Sequence, residues 1–270
     1  MAENFESLLL LVDVDGVVTD EHARVSPEVV ASLAHIASSG GRVAFITGRS
    51  RAWLDTRLTP RLAPLLDHGV LRERVLFAAE MGALRCAHST GNEWKLSAEL
   101  AVPDGLRDEL RPMIDGPAYA GLVEWDGTKE ATATFEAIHR PAVAGHAERA
   151  RAALRRLAEE VTAVALAAGC RAALSTYALD VLVPDLTKAI GARFALDEFA
   201  HSSAKAQVLV FGDSPGDAVM ATVACEWGSD DVEFVWLGRG VPPALEGIPI
   251  QVAVEPHAPG MADFLHHLVH

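Results

Sequence analysis

The chain is poor in cysteine, and its few cysteines show no pattern that binds a metal or builds a disulfide framework. Cys86, Cys170 and Cys225 form no Cys-x-x-Cys pair, and their odd number argues against a set of disulfides. Such scarcity is typical of a protein in a reducing cytoplasm, which is the location we expect. The eleven histidines likewise show no spacing that indicates a transition-metal site.

Long hydrophobic runs are also missing. The longest apolar run near the start, Leu8–Val12, is far too short to cross a bilayer, and neither a basic segment nor a small-residue cleavage site accompanies it. The sequence therefore predicts neither an export signal nor a membrane anchor.

Positive charge is scarce as well. The chain has 23 lysines and arginines against 37 aspartates and glutamates, which gives a formal net charge of −14. A field of that sign repels nucleic acids and anionic membranes, so we expect neither as a partner. A phosphorylated substrate would need local compensation by a few placed cations or by a metal ion. The pattern carries no prediction of oligomeric state.

Two glycine-rich phosphate-binding fingerprints are absent. The chain contains no Gly-x-Gly-x-x-Gly turn and no Gly-x-x-x-x-Gly-Lys-Ser/Thr loop. The first absence argues against a dinucleotide-binding enzyme, a function that the predicted sheet alone would permit.

What the chain does contain is an alternation of strands and helices towards both ends. Half of its 270 residues are hydrophobic, enough for a large buried interior. Strands are predicted at 8–12, 43–46, 75–78, 208–211, 234–237 and 250–254, and helices at 26–36, at 53–66 with a break near Pro60, at 188–199 and at 261–268. This order predicts an α/β fold with a doubly wound parallel sheet.

The middle of the chain has a different character. Between 85 and 184 the strands lengthen and alternate, and helices are predicted only at 105–114 and 142–168. Hairpins are predicted for 119–125 with 132–139 and for 172–176 with 178–183. The sequence therefore predicts a core of residues 1–84 and 185–270 with a smaller α+β domain, 85–184, inserted into it.

Four short polar segments are predicted at the ends of core strands or at the start of a core helix. They are Asp13-Val14-Asp15, Thr47-Gly48-Arg49, Lys188, and Gly212-Asp213-Ser214-Pro215-Gly216-Asp217. Each alone could merely shape a turn, cap a helix or lie on a solvated surface. Because parallel strands bring their carboxyl ends to one edge, their joint occurrence indicates a single site.

Together these segments supply what displacement at a phosphate monoester requires, namely a nucleophile, an acid for the leaving oxygen and positive charge. Asp13, Asp15 and Asp213 are oxygen donors suited to Mg²⁺, the cofactor we predict. Lys188 would add a second positive charge. The Thr47 hydroxyl, with backbone N–H groups near Gly48 and Arg49, could hold the phosphoryl oxygens.

The four segments resemble those of the haloacid dehalogenase (HAD) phosphotransferase superfamily, and the insertion resembles its type-II, IIB-like cap. The resemblance covers nearly the whole chain. It implies that Asp13 is the nucleophile and Asp15 the general acid and base, which also lends its backbone carbonyl to the metal. It implies that Asp213 is a direct metal ligand, and that Asp217 binds the metal through water or orients Lys188.

Within the superfamily the chain is most similar to the trehalose-6-phosphate phosphatase family and its sugar-phosphatase relatives. The similar segments are Ala78-Ala79-Glu80-Met81-Gly82-Ala83, Ile138-His139-Arg140 and Leu179-Asp180-Val181. Departures are Met81 in place of histidine, Ala189 in place of glycine, and a Gly212-Asp213-Ser214 turn in place of Gly-Asp-Asp. These departures bear on which sugar is bound.

By this resemblance, four charged residues of the inserted domain would face the active site and bind sugar hydroxyls. They are Glu124, Lys129, Arg140 and Asp180. The alternative is that they are charges on a solvated sheet face.

The function predicted from the sequence is a Mg²⁺-dependent phosphatase acting on a small phosphorylated sugar, with trehalose 6-phosphate as the best named candidate. Two alternatives stay open. One is a sugar phosphomutase of the same superfamily, in which a second substrate hydroxyl replaces water. The other is a non-catalytic sugar-phosphate sensor, which has no need of a nucleophile and an acid together.

Overall fold

The computed structural model describes residues 5–140, 143–200 and 207–270, and within them the chain folds as two units. One comprises the residues up to Lys95 together with those from Thr187 onward, and the other is Leu96–Leu186. They are called the core unit and the inserted unit below. A role for the inserted unit as a substrate-specificity cap stays a prediction.

The described residues form twelve strands and nine α-helices. In chain order the strands are β1 (Leu8–Val12), β2 (Arg42–Ile46), β3 (Val75–Ala79), β4 (Leu84–Cys86), β5 (Lys95–Leu96), β6 (Val123–Trp125), β7 (Ala133–Ala137), β8 (Arg171–Leu174), β9 (Ala178–Leu182), β10 (Gln207–Gly212), β11 (Asp231–Trp236) and β12 (Ile250–Val252). The helices are α1 (Pro27–Ser38), α2 (Arg51–Trp53), α3 (Thr59–Leu62), α4 (His68–Arg74), α5 (Asp104–Leu110), α6 (His146–Ala167), α7 (Lys188–Phe199), α8 (Ala218–Trp227) and α9 (His257–Val269).

The core unit is built on a sheet with the strand order β12-β11-β10-β1-β2-β3-β4-β5. Paired neighbours from β12 to β3 are parallel, and β4 runs antiparallel to β3. This confirms the predicted α/β fold with a doubly wound parallel sheet. Because β1 lies between β10 and β2, the loops that follow these three strands meet at one edge of the sheet.

The central strand β1 is buried over its whole length, as expected for a strand covered by helices on both faces. Leu9 and Leu11 pack in a cluster with Leu196 of α7 and Met220 of α8. Helices α7 and α8 pack against each other, and so do α1 and α9. The packed core therefore fixes the position of β1, and with it the sheet edge at which β1 ends.

Some details of the core unit differ from the prediction. Helix α8 was not predicted, because its residues are almost all apolar and so show no helical period. The predicted helix at 53–66 is interrupted by a π-helical stretch, Leu54–Leu58, before α3. Pro60 is the second residue after it, and a proline has no N–H with which to continue the α-helical bonds.

The inserted unit is an antiparallel sheet with the order β6-β7-β9-β8 and helices α5 and α6 packed on one face. The two predicted hairpins are present, although the first strand begins at Val123 because residues 117–122 form a turn. Helix α6 begins at His146; Ala142, where the prediction placed its start, lies outside the described residues.

A membrane-spanning helix is not found in the described part of the chain. Its longest helix, α6, carries several charged residues, and no other is both long enough and apolar enough to cross a bilayer.

Candidate active site

Asp13 is the first residue after β1 and is almost fully buried, with 4 % of its surface exposed. Its backbone N–H donates to the carbonyl of Phe211 over 3.1 Å, which continues the pairing of β1 with β10. One oxygen of its side chain, Oδ1, lies 2.6 Å from Nζ of Lys188. The nucleophile predicted from the sequence therefore lies at a fixed backbone position beside a cation.

Lys188 begins α7, where the hydroxyl oxygen of Thr187 accepts the N–H of Ala189 as a helix cap. Its Nζ also lies 2.5 Å from Oδ1 of Asp217, so a single ammonium joins two carboxylates. Burial alone would lower the pKa of Lys188, but Asp13 and Asp217 raise it above its usual value. Lys188 is therefore a permanent positive charge at neutral pH.

Asp217 is fully buried, and both of its carboxylate oxygens already have partners. Oδ1 binds Lys188, while Oδ2 accepts the backbone N–H groups of Asp213 at 3.1 Å and Ser214 at 2.9 Å and the Ser214 hydroxyl at 2.8 Å. Asp217 thus fixes the turn after β10 and the position of Lys188. This geometry fits the orienting role that the resemblance implied.

Gly212 makes room for that turn. A Cβ built on Gly212 would lie 2.3 Å from Cβ of Asp217, closer than two carbon atoms tolerate, whereas at Gly216 it would meet only Oγ of Ser214 at 3.6 Å. We expect Gly212→Ala to displace Asp217 from Lys188 and to lower the free energy of unfolding by about 1–3 kcal/mol. Gly216→Ala is the matched control, and urea unfolding measures both. Equal free energies of unfolding for the two variants would contradict the close contact between Gly212 and Asp217.

Three carboxylates crowd this place. Asp13, Asp213 and Asp217 each offer an oxygen, and these oxygens lie within 4.8 Å of one another; no other such group of three is found among the described residues. Burial raises the pKa of Asp213 to about 6, with Asp217 acting in the same direction. Burial also raises the pKa of Asp13, which Lys188 offsets only in part. The cluster holds more negative charge than Lys188 balances.

This donor set fits Mg²⁺. The ion prefers hard oxygen ligands and takes one or two protein carboxylates while keeping several waters. Because both oxygens of Asp217 are occupied by other partners, Asp13 and Asp213 are the residues that would hold it. The resemblance adds the backbone carbonyl of Asp15 to this set.

Asp15 is paired with Arg49, which is the third residue after the end of β2. Nε of Arg49 lies 3.0 and 2.9 Å from the two carboxylate oxygens, and Nη2 lies 2.6 Å from Oδ1. The side chain of Asp15 is 45 % exposed, unlike that of Asp13. Arg49 was predicted to bind substrate, and the structure places it on the candidate acid.

Thr47 is buried at the end of β2 and shapes the turn that carries Arg49. Its backbone N–H donates to Ala78, its carbonyl accepts the N–H of Met81 at 2.7 Å, and its Oγ1 accepts the N–H of Arg49 at 3.1 Å. At Gly48 an added Cβ would first meet Cε of Met81 at 4.0 Å, so the backbone there is approachable. The three predicted residues of this loop therefore lie together.

The four predicted sugar-binding residues lie in the inserted unit. Asp180 accepts the hydroxyl of Thr134 at 2.7 Å, and Glu124 is paired with Glu136 in the sheet register. By that register Glu124 and Asp180 share the face opposite to the helices. Lys129 is in the β6–β7 connection, where its carbonyl accepts Nη2 of Arg107, and Arg140 follows β7 and is exposed.

The roles of some residues in these sites were not predicted from the sequence. Ser214 stands where the family that the sequence resembles has a second aspartate, and its hydroxyl donates to Asp217. Glu136 and Thr134 lie in β7, where the ordinary alternation of a strand does not distinguish them from other polar strand residues. His257, at the start of α9, lies 3.6 Å from Asp213, a contact between residues far apart in sequence.

Comparison with known proteins gave matches to solved structures only. No protein-family model matches the chain, and no curated protein matches it either. A trehalose-6-phosphate phosphatase from Aspergillus fumigatus superposes with a TM-score of 0.54 at 20 % identity, covering 97 % of this chain and 92 % of that one.

Two further structures cover nearly the whole of both chains. A sucrose-phosphatase from Synechocystis, solved with sucrose and phosphate, has a TM-score of 0.56 at 16 % identity and covers 97 % of each chain. A haloacid dehalogenase-like hydrolase from Bacteroides thetaiotaomicron has a TM-score of 0.63 at 12 % identity, covering 97 % of this chain and 99 % of that one. At these identities the likeness shows a shared fold.

Proposed function

Given its haloacid dehalogenase-like hydrolase fold, we propose that this chain is a Mg²⁺-dependent phosphatase that hydrolyses a phosphorylated sugar through a phosphoryl-aspartate at Asp13. The observation that carries the proposal is the pairing of buried Asp13 with Lys188 at the sheet edge, with a second carboxylate, Asp15, two residues further on. A nucleophile held by a cation beside an exposed acid is what phosphoryl transfer needs.

In the first half of the reaction, a carboxylate oxygen of Asp13 attacks phosphorus and the bond from phosphorus to the sugar oxygen breaks. Asp15 gives a proton to that oxygen, so the sugar leaves as a neutral alcohol. Lys188 favours the ionised form of the attacking carboxylate and orients it, because its ammonium binds Oδ1. The products are free sugar and an acyl phosphate on Asp13.

In the second half, Asp15 takes a proton from water, whose oxygen attacks phosphorus. The bond from phosphorus to Asp13 breaks, its carboxylate is restored, and inorganic phosphate leaves. Asp15 thus returns to its starting protonation state. Attack on an anionic phosphoryl group next to carboxylates is opposed by charge, and bound Mg²⁺ would supply the neutralising charge at Asp13 and Asp213.

Arg49 and Thr47 would hold the phosphoryl oxygens. The hydroxyl oxygen of Thr47 accepts a backbone N–H, which leaves its proton to donate to a phosphoryl oxygen. Arg49 binds Asp15 in the structure, so the two side chains must separate for Asp15 to move a proton. Separation would turn the guanidinium towards the substrate anion, which reconciles its observed partner with its predicted role.

The sugar is the less defined part of the proposal. Two of the structural neighbours act on disaccharide phosphates by their names, which favours a sugar phosphate such as trehalose 6-phosphate. The polar face of the inserted unit, with Glu124 and Asp180, offers carboxylates of the kind that bind hydroxyl groups. Lys129 and Arg140 would act from the connections beside it.

A substrate panel tests this proposal. Phosphate release is measured with Mg²⁺ for trehalose 6-phosphate, sucrose 6-phosphate, glucose 6-phosphate, mannose phosphates and a pseudo-sugar phosphate, with an EDTA-treated sample as the control. We expect turnover of at least one donor and its loss with EDTA. No net phosphate release but dependence on a sugar bisphosphate would indicate the mutase, and binding without turnover the sensor.

A further inference from the structure

His257 lies beside the carboxylate cluster, although no sequence motif predicts it there. Its Nδ1 is 3.6 Å from Oδ2 of Asp213. A Cβ built on Gly16 would lie 3.0 Å from that Nδ1 and 2.0 Å from that Oδ2, so the three groups border one small space. His257 is therefore a direct neighbour of a candidate metal ligand.

The ring nitrogen that faces Asp213 is unusual. Nδ1 of His257 is buried and has no hydrogen-bond partner within the described ranges of the chain. Buried polar atoms are rarely left in this state, because each unpaired group costs about 1–3 kcal/mol. The separation of 3.6 Å is too long for a hydrogen bond, yet a small rotation of either side chain would close it.

The backbone holds the ring in this place at a cost. His257 has a φ of +64°, in the left-handed region that non-glycine residues seldom adopt. Its N–H donates to the carbonyl of Leu237 at 2.7 Å, and the next residue, Gly238, approaches the carbonyl of Asp213 so closely that a Cβ would lie 2.1 Å from it. Such strain of about 1–3 kcal/mol is typical of functional positions.

We propose that His257 is a positioning residue for Asp213. After a small rotation, its Nδ1–H bonds Oδ2 and so fixes the orientation in which the Asp213 carboxylate would meet a divalent cation. The inference rests on the Mg²⁺ site of the proposed function and deepens it. Groups that bond a metal-ligating carboxylate fix its orientation, and their loss costs about 10- to 100-fold in affinity or activity.

Two variants separate the ring from the backbone. In His257→Asn the amide nitrogen takes the place of Nδ1, and asparagine tolerates a left-handed φ. In His257→Gly the donor is gone and the strain is relieved. Calorimetric titration of metal-free protein with Mg²⁺ and Mn²⁺ should show H257G weakened about tenfold and H257N close to the wild type. The thermal midpoint of metal-free H257G should equal or exceed that of the wild type.

The outcomes distinguish this inference from the proposed function. A wild type that releases phosphate, with H257G binding cations as tightly or H257N as weak as H257G, contradicts the role of His257 alone. A wild type that binds cations more tightly than H257G but releases no phosphate from any donor contradicts the proposed function alone. A wild type that binds neither cation contradicts both.

Discussion

Replacing Asp13 with asparagine should lower phosphate release by about 10³-fold or more, because the variant keeps the shape of the side chain but has no carboxylate to attack phosphorus. The fold should survive. Burial and two neighbouring carboxylates raise the pKa of Asp13, so removing its charge relieves a crowded site while Lys188 keeps Asp217 as a partner. We expect the free energy of unfolding to change by less than about 1 kcal/mol.

The matched control is Asp231→Asn, which changes an exposed aspartate at the start of β11. It should release phosphate at the wild-type rate. Steady-state kinetics with the best donor of the panel, together with urea unfolding of all three proteins, complete the comparison. An Asp13→Asn variant that kept a tenth or more of the activity would show that Asp13 is not the nucleophile.

Replacing Lys188 with methionine should destabilise the protein strongly. The change leaves the carboxylates of Asp13 and Asp217 buried without the ammonium that bridges them at 2.6 and 2.5 Å. Breaking such a buried pair by removing one partner costs about 3–5 kcal/mol. The side chain of Lys188 is only 13 % exposed, so water cannot take over its role. Activity should fall as well, because the nucleophile loses its cation.

An exposed lysine provides the control for this prediction. Lys95 pairs with Glu93 at the surface, so Lys95→Met should cost less than about 1 kcal/mol. The double variant Lys188→Met/Asp217→Asn should recover part of the lost stability, because it removes one of the two unpaired carboxylates. Denaturant unfolding measures the free energy of unfolding of all three variants. If Lys188→Met were as stable as Lys95→Met, the bridging geometry would be wrong.

The fold was largely predictable from sequence because its main signals are local. Apolar runs such as Leu8–Val12 and the Ser26 cap before Pro27 mark strands and helix starts directly, and their order predicts parallel pairing. Helix α8 was not predicted, because an almost wholly apolar segment shows no helical period of apolar and polar residues. The π-helical stretch before Pro60 was not predicted, because the residue types in a helix do not show which hydrogen-bond pattern the helix adopts.

The site was predictable only where a suitable residue type coincides with the end of a core strand or the start of a core helix. Asp13 and Thr47 directly follow core strands and Lys188 begins a core helix, so the sequence predicted their meeting at one edge. Which side chains contact each other in the site depends on the directions in which they point, and the spacing of residues in the sequence does not give those directions. The pairing of Asp15 with Arg49 and the contact of His257 with Asp213 could not be predicted for that reason.

The central claim is that Asp13 carries the phosphoryl group. The most direct test is mass spectrometry on Asp15→Asn that is incubated with Mg²⁺ and p-nitrophenyl phosphate and then quenched in acid. This donor has a leaving group that needs no proton, whereas the second half of the reaction needs Asp15, so the phosphorylated protein should accumulate. We predict one phosphoryl group, on Asp13. Phosphate release by the wild type, with no phosphorylated Asp13 in wild type or variant, would contradict the account.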